Sequence, residues 1–220
     1  MARYKRRFVR RKPVLRRRRG IFRRRRIPRR KFGNGNLYCK FTRVSSVSVA
    51  LDKTSVWNTA IKPGDFAEWT RLYKNFEYSK WLKIRVRVIP LQNIANNSTS
   101  AVPCYIMLPY HTIGTPTMTA LDRYMSVDRA KIMRMTKAAS QSYVPAVRVD
   151  VWNTIGGDAH WNKLEWRPTI FHDQGCDTTQ ITAGLIAFQG ETTLKGTCNF
   201  NIIHDVYVKM GNQTILPFNE

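Results

Sequence analysis

Polar and apolar positions alternate over much of this chain, with the two-residue period of strands that bury one face. Leu37, Cys39 and Phe41 open the pattern, and Val47, Val49 and Leu51 continue it. The clearest run is 80–89, where Leu82, Ile84, Val86 and Val88 point one way and Lys83, Arg85 and Arg87 the other. Pro90 ends it, because proline cannot donate to a sheet ladder. Residues 102–108 predict a further short strand, 143–151 an extended segment, and 129–135 either a strand or a helix. Leu164, Trp166, Ile170 and Phe171 carry the β pattern past Pro168. Residues 181–188 form a compact apolar run. Phe200, Ile202, Val206 and Val208 then make one or two strands, with Tyr207 and Lys209 on the opposite side.

One stretch departs from this period. Pro63-Gly64-Asp65 leads to Glu68, an Asp-x-x-Glu spacing that can cap a helix N-terminus. Phe66, Trp69, Leu72, Tyr73 and Phe76 follow at helical spacing, which predicts a short helix with a core-facing stripe. Polar or Pro/Gly-containing loops separate the elements at 93–100, around Pro109 and 114–116, and at Gly156-Gly157-Asp158. About eight short strands with such loops predict an all-β sandwich or barrel. Crossover helices at regular spacing are missing, which disfavours a parallel α/β fold, and no internal repeat is visible.

Charge changes the picture at the N-terminus. Eighteen cations fall in the first 31 residues: Arg3, Lys5, Arg6, Arg7, Arg10, Arg11, Lys12, Arg16, Arg17, Arg18, Arg19, Arg23, Arg24, Arg25, Arg26, Arg29, Arg30 and Lys31. The first acid is Asp52. Of the formal net charge of +24, these 31 residues supply +18 and the other 189 only +6. A segment so charged and so poor in core-forming residues predicts a disordered arm that binds a polyanion, most simply nucleic acid. Gly33-Asn34-Gly35-Asn36 reads as its hinge, so the division is 1–36 arm and hinge, 37–220 folded domain.

Arg outnumbers Lys in the arm by fifteen to three. Guanidinium makes bidentate contacts with phosphate and is weakly hydrated. Tyr4, Phe8, Phe22 and Phe32 are placed to stack on unpaired bases, or are incidental. The Arg runs also have the composition of a nuclear import address. In the folded domain Lys40, Arg43, Lys83, Arg85 and Arg87 are candidate cations for a second nucleic-acid face; the alternative for the run 83–87 is a solvated sheet face.

Other chemistry is sparse. Cys39, Cys104, Cys176 and Cys198 are widely spaced and read as free thiols. His111, His160, His172 and His204 are scattered, and His172-Asp173 with Cys176 is the one local cluster. Asp150, Asp158, Glu165, Asp173 and Asp177 show no spacing that supports a metal site. Motifs of metalloproteases, serine hydrolases, phosphate loops and EF-hands are absent, so we expect no enzyme, no metal and no cofactor. No apolar run reaches the ~20 residues of a membrane-spanning helix, and no secretory signal is read. A ribosomal or nucleoid-type packaging protein is the alternative class. Such proteins usually spread cations over the folded domain, whereas here the charge is concentrated at one end.

Three segments resemble the capsid proteins of circoviruses, closest to the cyclovirus branch. The first is the Met1-Ala2-Arg3-Tyr4-Lys5-Arg6-Arg7 opening with its doubled Arg runs. The second is 35–44, with Phe41-Thr42-Arg43-Val44. The third and most specific is 76–90, where Tyr78 and the stretch from Lys83 to Pro90 resemble the family's Tyr-x-Ile-x-x-Val-x-Val-x-Phe form, with Trp81, Leu82 and Ile84 at its apolar positions. The likeness covers nearly the whole chain, except that 216–220 have no clear counterpart. It implies an eight-stranded jelly roll and sixty copies in a T=1 icosahedral shell around a circular single-stranded DNA genome. It further implies nuclear import and assembly, and attachment to a host receptor or glycan through exterior loops. The loops near 93–101, 109–120 and 153–163 suit contacts between copies or the outside.

Overall fold

A computed structural model describes residues 35–92, 103–112, 114–117, 120–152, 160–173, 175–193 and 195–213. The chain divides into two units, Met1–Lys31 and Phe32–Glu220, and every described residue belongs to the second. The predicted arm as far as Asn34, the 93–101 loop, the Gly156-Gly157-Asp158 turn and the 216–220 tail lie outside the described residues.

Eleven strands and two short α-helices are present among the described residues. They are β1 Leu37–Ala50, β2 Ser55–Asn58, α1 Ala67–Leu72, β3 Phe76–Pro90, β4 Cys104–Pro109, α2 Leu121–Met125, β5 Lys131–Arg134, β6 Ala139–Tyr143, β7 Ala146–Trp152, β8 His160–Trp166, β9 Thr169–Phe171, β10 Gly184–Phe188 and β11 Thr197–Gln213. The path β1-β11-β3-β6 makes one sheet, with β9 paired to β3 beside it, and β2-β10-β4-β5 makes a second. Setting aside β9 and the β7–β8 hairpin leaves eight strands. Their antiparallel partners run first with last, second with seventh, third with sixth and fourth with fifth. That is one long hairpin rolled up, the eight-stranded jelly roll, with the β7–β8 hairpin and β9 inserted between its sixth and seventh strands.

The two sheets carry different sequence patterns because they are covered differently. The first sheet packs one face on the core and turns the other to water, hence the alternation in β1, β3 and β11. The second sheet is covered twice. Tyr105, Met107, Ile186 and Phe188 face the central core, while Ile106, Leu108, Leu185 and Ala187 form a separate cluster under Tyr124 of α2. All five residues of β10 are therefore buried, and its apolar run has no period. The centre between the sheets is aromatic: Phe188 lies 4.9 Å from Phe200, and Phe66 bridges Phe41 and Trp81 at 6.4 and 6.1 Å.

Three local expectations need correction. The β3 ladder shifts register between Tyr207 and Val208, whose partners are Lys83 and Trp81, so Leu82 is the extra residue of a bulge. Trp81, fully buried, takes the core position that strict alternation gives to Leu82, which is half-buried. Phe76 ends the predicted helical stripe but belongs to β3, because α1 stops at Leu72 and a 3-10 turn, Tyr73–Asn75, follows. Asp65 does not cap α1. Its carboxylate accepts from the Lys62 N–H at 2.8 Å, closing the preceding turn, and pairs with Arg43 at 2.6 Å.

His204 sits on the core side of β11, next to its register partner Arg43, with its ring 5.6 Å from Trp57. It is 1% exposed, and neither ring nitrogen has a hydrogen-bond partner among the described residues. Burial, helped by the Arg43 charge and opposed by Asp65 and Asp205, pushes its pKa from 6.5 down to about 4. Between those values the unfolded chain holds a proton that the folded chain lacks. Stability therefore falls as pH drops through this window, by roughly 3 kcal/mol in all. The melting temperature of the folded unit should decline from about pH 7 to about pH 4.5, and His204→Leu should remove most of the decline. An unchanged slope in that variant would assign the effect to other groups.

Candidate nucleic-acid interface

The solvent face of the first sheet is ordered in rows by strand register. Tyr38, Lys209 and Lys80 form the row nearest the beginning of β1; Lys40, Tyr207 and Lys83 form the next; Thr42, Asp205 and Arg85 the third; Val44, Ile203 and Arg87 the fourth. Rows lie two strand residues apart, about 6.6 Å. Six cations thus share one face with a single carboxylate, and four of them fall in the two rows nearest the beginning of β1. The bulge at Leu82 is what brings Lys80 to this face while Trp81 goes to the core.

The carboxylate organises the cations around it. Asp205, 2% exposed, pairs with Lys40 Nζ at 2.9 Å and Arg87 Nε at 2.8 Å, and accepts from the Thr42 hydroxyl at 3.0 Å and Arg87 Nη2 at 3.2 Å. Burial alone would raise its pKa. The hydrogen bonds from Lys40, Thr42 and Arg87, with the Arg87 charge, outweigh burial and hold it below the usual carboxylate value. Lys40 and Arg87 remain 47% and 35% exposed, so both can still meet a ligand. Lys83 lies over the Tyr207 ring at 5.8 Å, and Arg85 donates to the Ser140 hydroxyl at 3.1 Å. Tyr38, 71% exposed, presents an open ring beside Lys209.

Of the five predicted cations of the folded domain, Lys40, Lys83, Arg85 and Arg87 therefore share this face. Arg43 does not: its parity matches Phe41, and its guanidinium pairs with Asp65 on the core side. The eighteen arm cations lie outside the described residues. Asp205, Lys80, Lys209 and Tyr38 are members absent from the predicted set, since periodicity places Lys209 only on the polar side of its strand. Asp205 is within reach of sequence reasoning, since it shares parity with Tyr207 and Lys209 on the polar side of the strand.

Asp205→Asn is expected to lower stability by about 2 kcal/mol, less than the ~3–5 of a fully buried pair because its partners reach water. The same change should tighten binding of the chain to a polyanion, since it raises the charge of the face by one. Chemical denaturation and a salt-titrated binding assay read the two effects. Weaker binding would mean that Asp205 places Lys40 and Arg87 more than it screens them.

The remaining candidates are structural. His172 shares a hydrogen bond at Nδ1 with the Phe76 carbonyl, at 2.5 Å, and meets the Trp69 and Tyr73 rings edge-on. Among the described residues no group of three His, Cys, Asp or Glu could hold a metal. All four cysteines are free, and burial pushes each thiol's pKa up. No helix of the described residues is long and apolar enough to cross a membrane.

Comparison with known proteins agrees with this architecture. The family model for the circovirus capsid protein matches residues 3–214. The capsid protein of Human associated cyclovirus 1 is 33% identical over 186 residues, which cover 83% of this chain and 84% of that protein. The 60-mer BFDV capsid protein superposes with a TM-score of 0.61 at 13% identity, covering 85% of this chain and 98% of its own. Cucumber Leaf Spot Virus follows at 0.51 and 12% identity, over 82% of this chain and 52% of that one. These two structures speak for the fold alone. The family is a structural one and not enzymatic, in keeping with the missing catalytic motifs, and its place is the virion. By the extent of the family match and the identity to the cyclovirus protein, the chain belongs to the circovirus capsid protein family.

Proposed function

We propose that this chain assembles, in sixty copies, into a closed icosahedral T=1 shell and packages circular single-stranded DNA on its inner side. The observation that carries this reading is the segregation of charge. Thirty-one residues hold +18 without one acid, and in the folded domain six cations gather on one sheet face, most of them toward the start of β1. Polyanion on one side and copies of itself on the other are the partners such an asymmetry fits. Family membership replaces the ribosomal or nucleoid alternative.

The arm contributes affinity without sequence preference. Each phosphate that meets a guanidinium releases counterions, so binding is entropic and falls steeply with salt. Sixty arms carry about a thousand positive charges, which matches a genome of the order of a thousand phosphates or somewhat more. Lys40, Lys80, Lys83 and Arg85 extend the contact onto the sheet, and Tyr38 offers a base-stacking surface there. Arg43 is held by Asp65 and is left out of this set. The choice of DNA over RNA rests on the family, since phosphate contacts do not distinguish them. The Arg runs 16–19 and 23–26 also serve nuclear import before assembly, and exterior loops engage a host receptor or glycan.

The test is to incubate purified full-length protein with circular single-stranded DNA, add nuclease, and image the product by negative stain. Uniform spherical particles that protect DNA are expected. DNA left fully digestible beside well-formed particles would overturn the packaging role.

A further inference from the structure

The folded domain carries two surface patches of opposite character that fit each other. The first is a groove between β9 and the β7–β8 hairpin, with a volume of about 320 Å³. Val147, Val149, Ile170 and Phe171 give it an apolar floor and wall, and Glu165 and Asp173 line it with carboxylates. No Lys or Arg is among its lining residues, in a chain of net charge +24. Val149 is 38% exposed, so this apolar surface is open to a partner, whereas the Phe171 ring turns to Tyr78 on the cationic face of the first sheet. β9 is three residues long and pairs with β3 on one side, and among the described strands its other edge has no partner.

The second patch lies on α2 and the edge strand β5. Met125 and Ile132 are 40% and 48% exposed, and they flank the cluster that α2 covers on the outer side of the second sheet. Arg123 and Arg134 are exposed around them and form no ion pair among the described residues. The patch is apolar at its centre, and at its rim Arg123, Arg129 and Arg134 outnumber the exposed Asp122 and Asp128, so its net charge is opposite to that of the groove.

We propose that the groove of one copy receives the α2–β5 patch of a neighbouring copy. This rests on the self-assembly reading above and names the surfaces that carry it. Charge decides the geometry of the contact. Two grooves facing each other across a two-fold axis would bring two net-negative surfaces together, Lys163 at the edge offsetting only part of Glu165 and Asp173, and two α2–β5 patches would bring together two net-positive ones. Like charges at a contact cost affinity, whereas groove against patch pairs Glu165 and Asp173 with Arg123 and Arg134. The contact is therefore heterologous, and a heterologous contact repeats from copy to copy until it closes, as a ring or shell requires. Val149 and Ile132 supply the apolar centre, with the ion pairs at its rim.

Charge reversal in the full chain tests the pairing, read by negative stain and sedimentation velocity with a melting curve as folding control. Glu165→Lys with Asp173→Lys, and separately Arg123→Glu with Arg134→Glu, should each cut particle yield about tenfold or more. The chain with all four reversals should recover most of it. Glu165→Gln with Asp173→Asn is the milder variant, expected to lose yield without adding a positive charge to the groove. Either double reversal assembling like the unaltered chain would overturn the proposal. Loss in the groove variants with no recovery in the four-fold variant would also overturn it, and would point to the Arg arm of a neighbour as the occupant. If the unaltered chain itself forms no particles, the self-assembly reading falls, and this pairing with it.

Discussion

Replacing the eight arginines at 16–19 and 23–26 with Gln is expected to lower the salt dependence of single-stranded DNA binding by about five to six in log–log slope. The figure follows from about 0.7 per phosphate contact on a single strand, with one phosphate for each guanidinium. At low salt the affinity should fall by several decades. The melting transition of the folded unit should hardly move, because residues 16–26 belong to the other unit of the chain. Neutralising Lys40, Lys83 and Arg85 instead should lower the slope by about two, since three contacts are at stake. The ratio of these effects measures how the DNA contact is shared between arm and sheet. A larger effect from the sheet variant would reverse that ranking. A large drop in melting temperature on changing the arm would mean that it packs against the domain.

Trp81→Ala is expected to destabilise the domain by about 3–5 kcal/mol, and Leu82→Ala by about 1 kcal/mol. Trp81 is fully buried, touches Phe66 and donates its indole N–H to the Ser79 hydroxyl at 3.3 Å. Leu82 stands at the bulge and is half-buried. Its side chain loses less contact and leaves a smaller void. Urea unfolding of the two variants reads the difference directly. Equal costs, or a greater cost at Leu82, would mean that the ladder runs without the bulge and that Lys80 does not reach the cationic face.

This pair of residues also shows where sequence periodicity stops being informative. Ile84, Val86 and Val88 keep a strict period because both neighbouring strands stay in register, and their burial agrees with the alternation. One extra residue inverts the parity on its far side, and nothing in Ser79-Lys80-Trp81-Leu82 announces it. The all-β sandwich is legible because the first sheet has one wet face, whereas the jelly-roll topology is implied only by the family resemblance. The apolar run before Gln189 is legible as buried but not as doubly covered, since its cover, α2, is five residues long and has no side-chain cap. β6, Ala139–Tyr143, escapes notice for a related reason. Ala, Ser, Gln and Ser give it little apolar signal, and it is held by backbone pairing to β3. The candidate interface is half legible. Charge and parity put Lys83, Arg85 and Arg87 on one face, but the grouping with Lys40, Lys209 and Asp205 needs the pairing of strands more than 100 residues apart.

The proposed division of labour gives DNA to a cationic arm and tiling with copies of itself to the β-domain. Its most direct test is electron microscopy and nuclease protection of a chain that begins at Gly35, set beside the full-length protein. The shortened chain is expected still to associate into shell-like assemblies while protecting almost no DNA. A shortened chain that stays monomeric at all salts and concentrations, or one that protects DNA as well as the full-length protein, would contradict it.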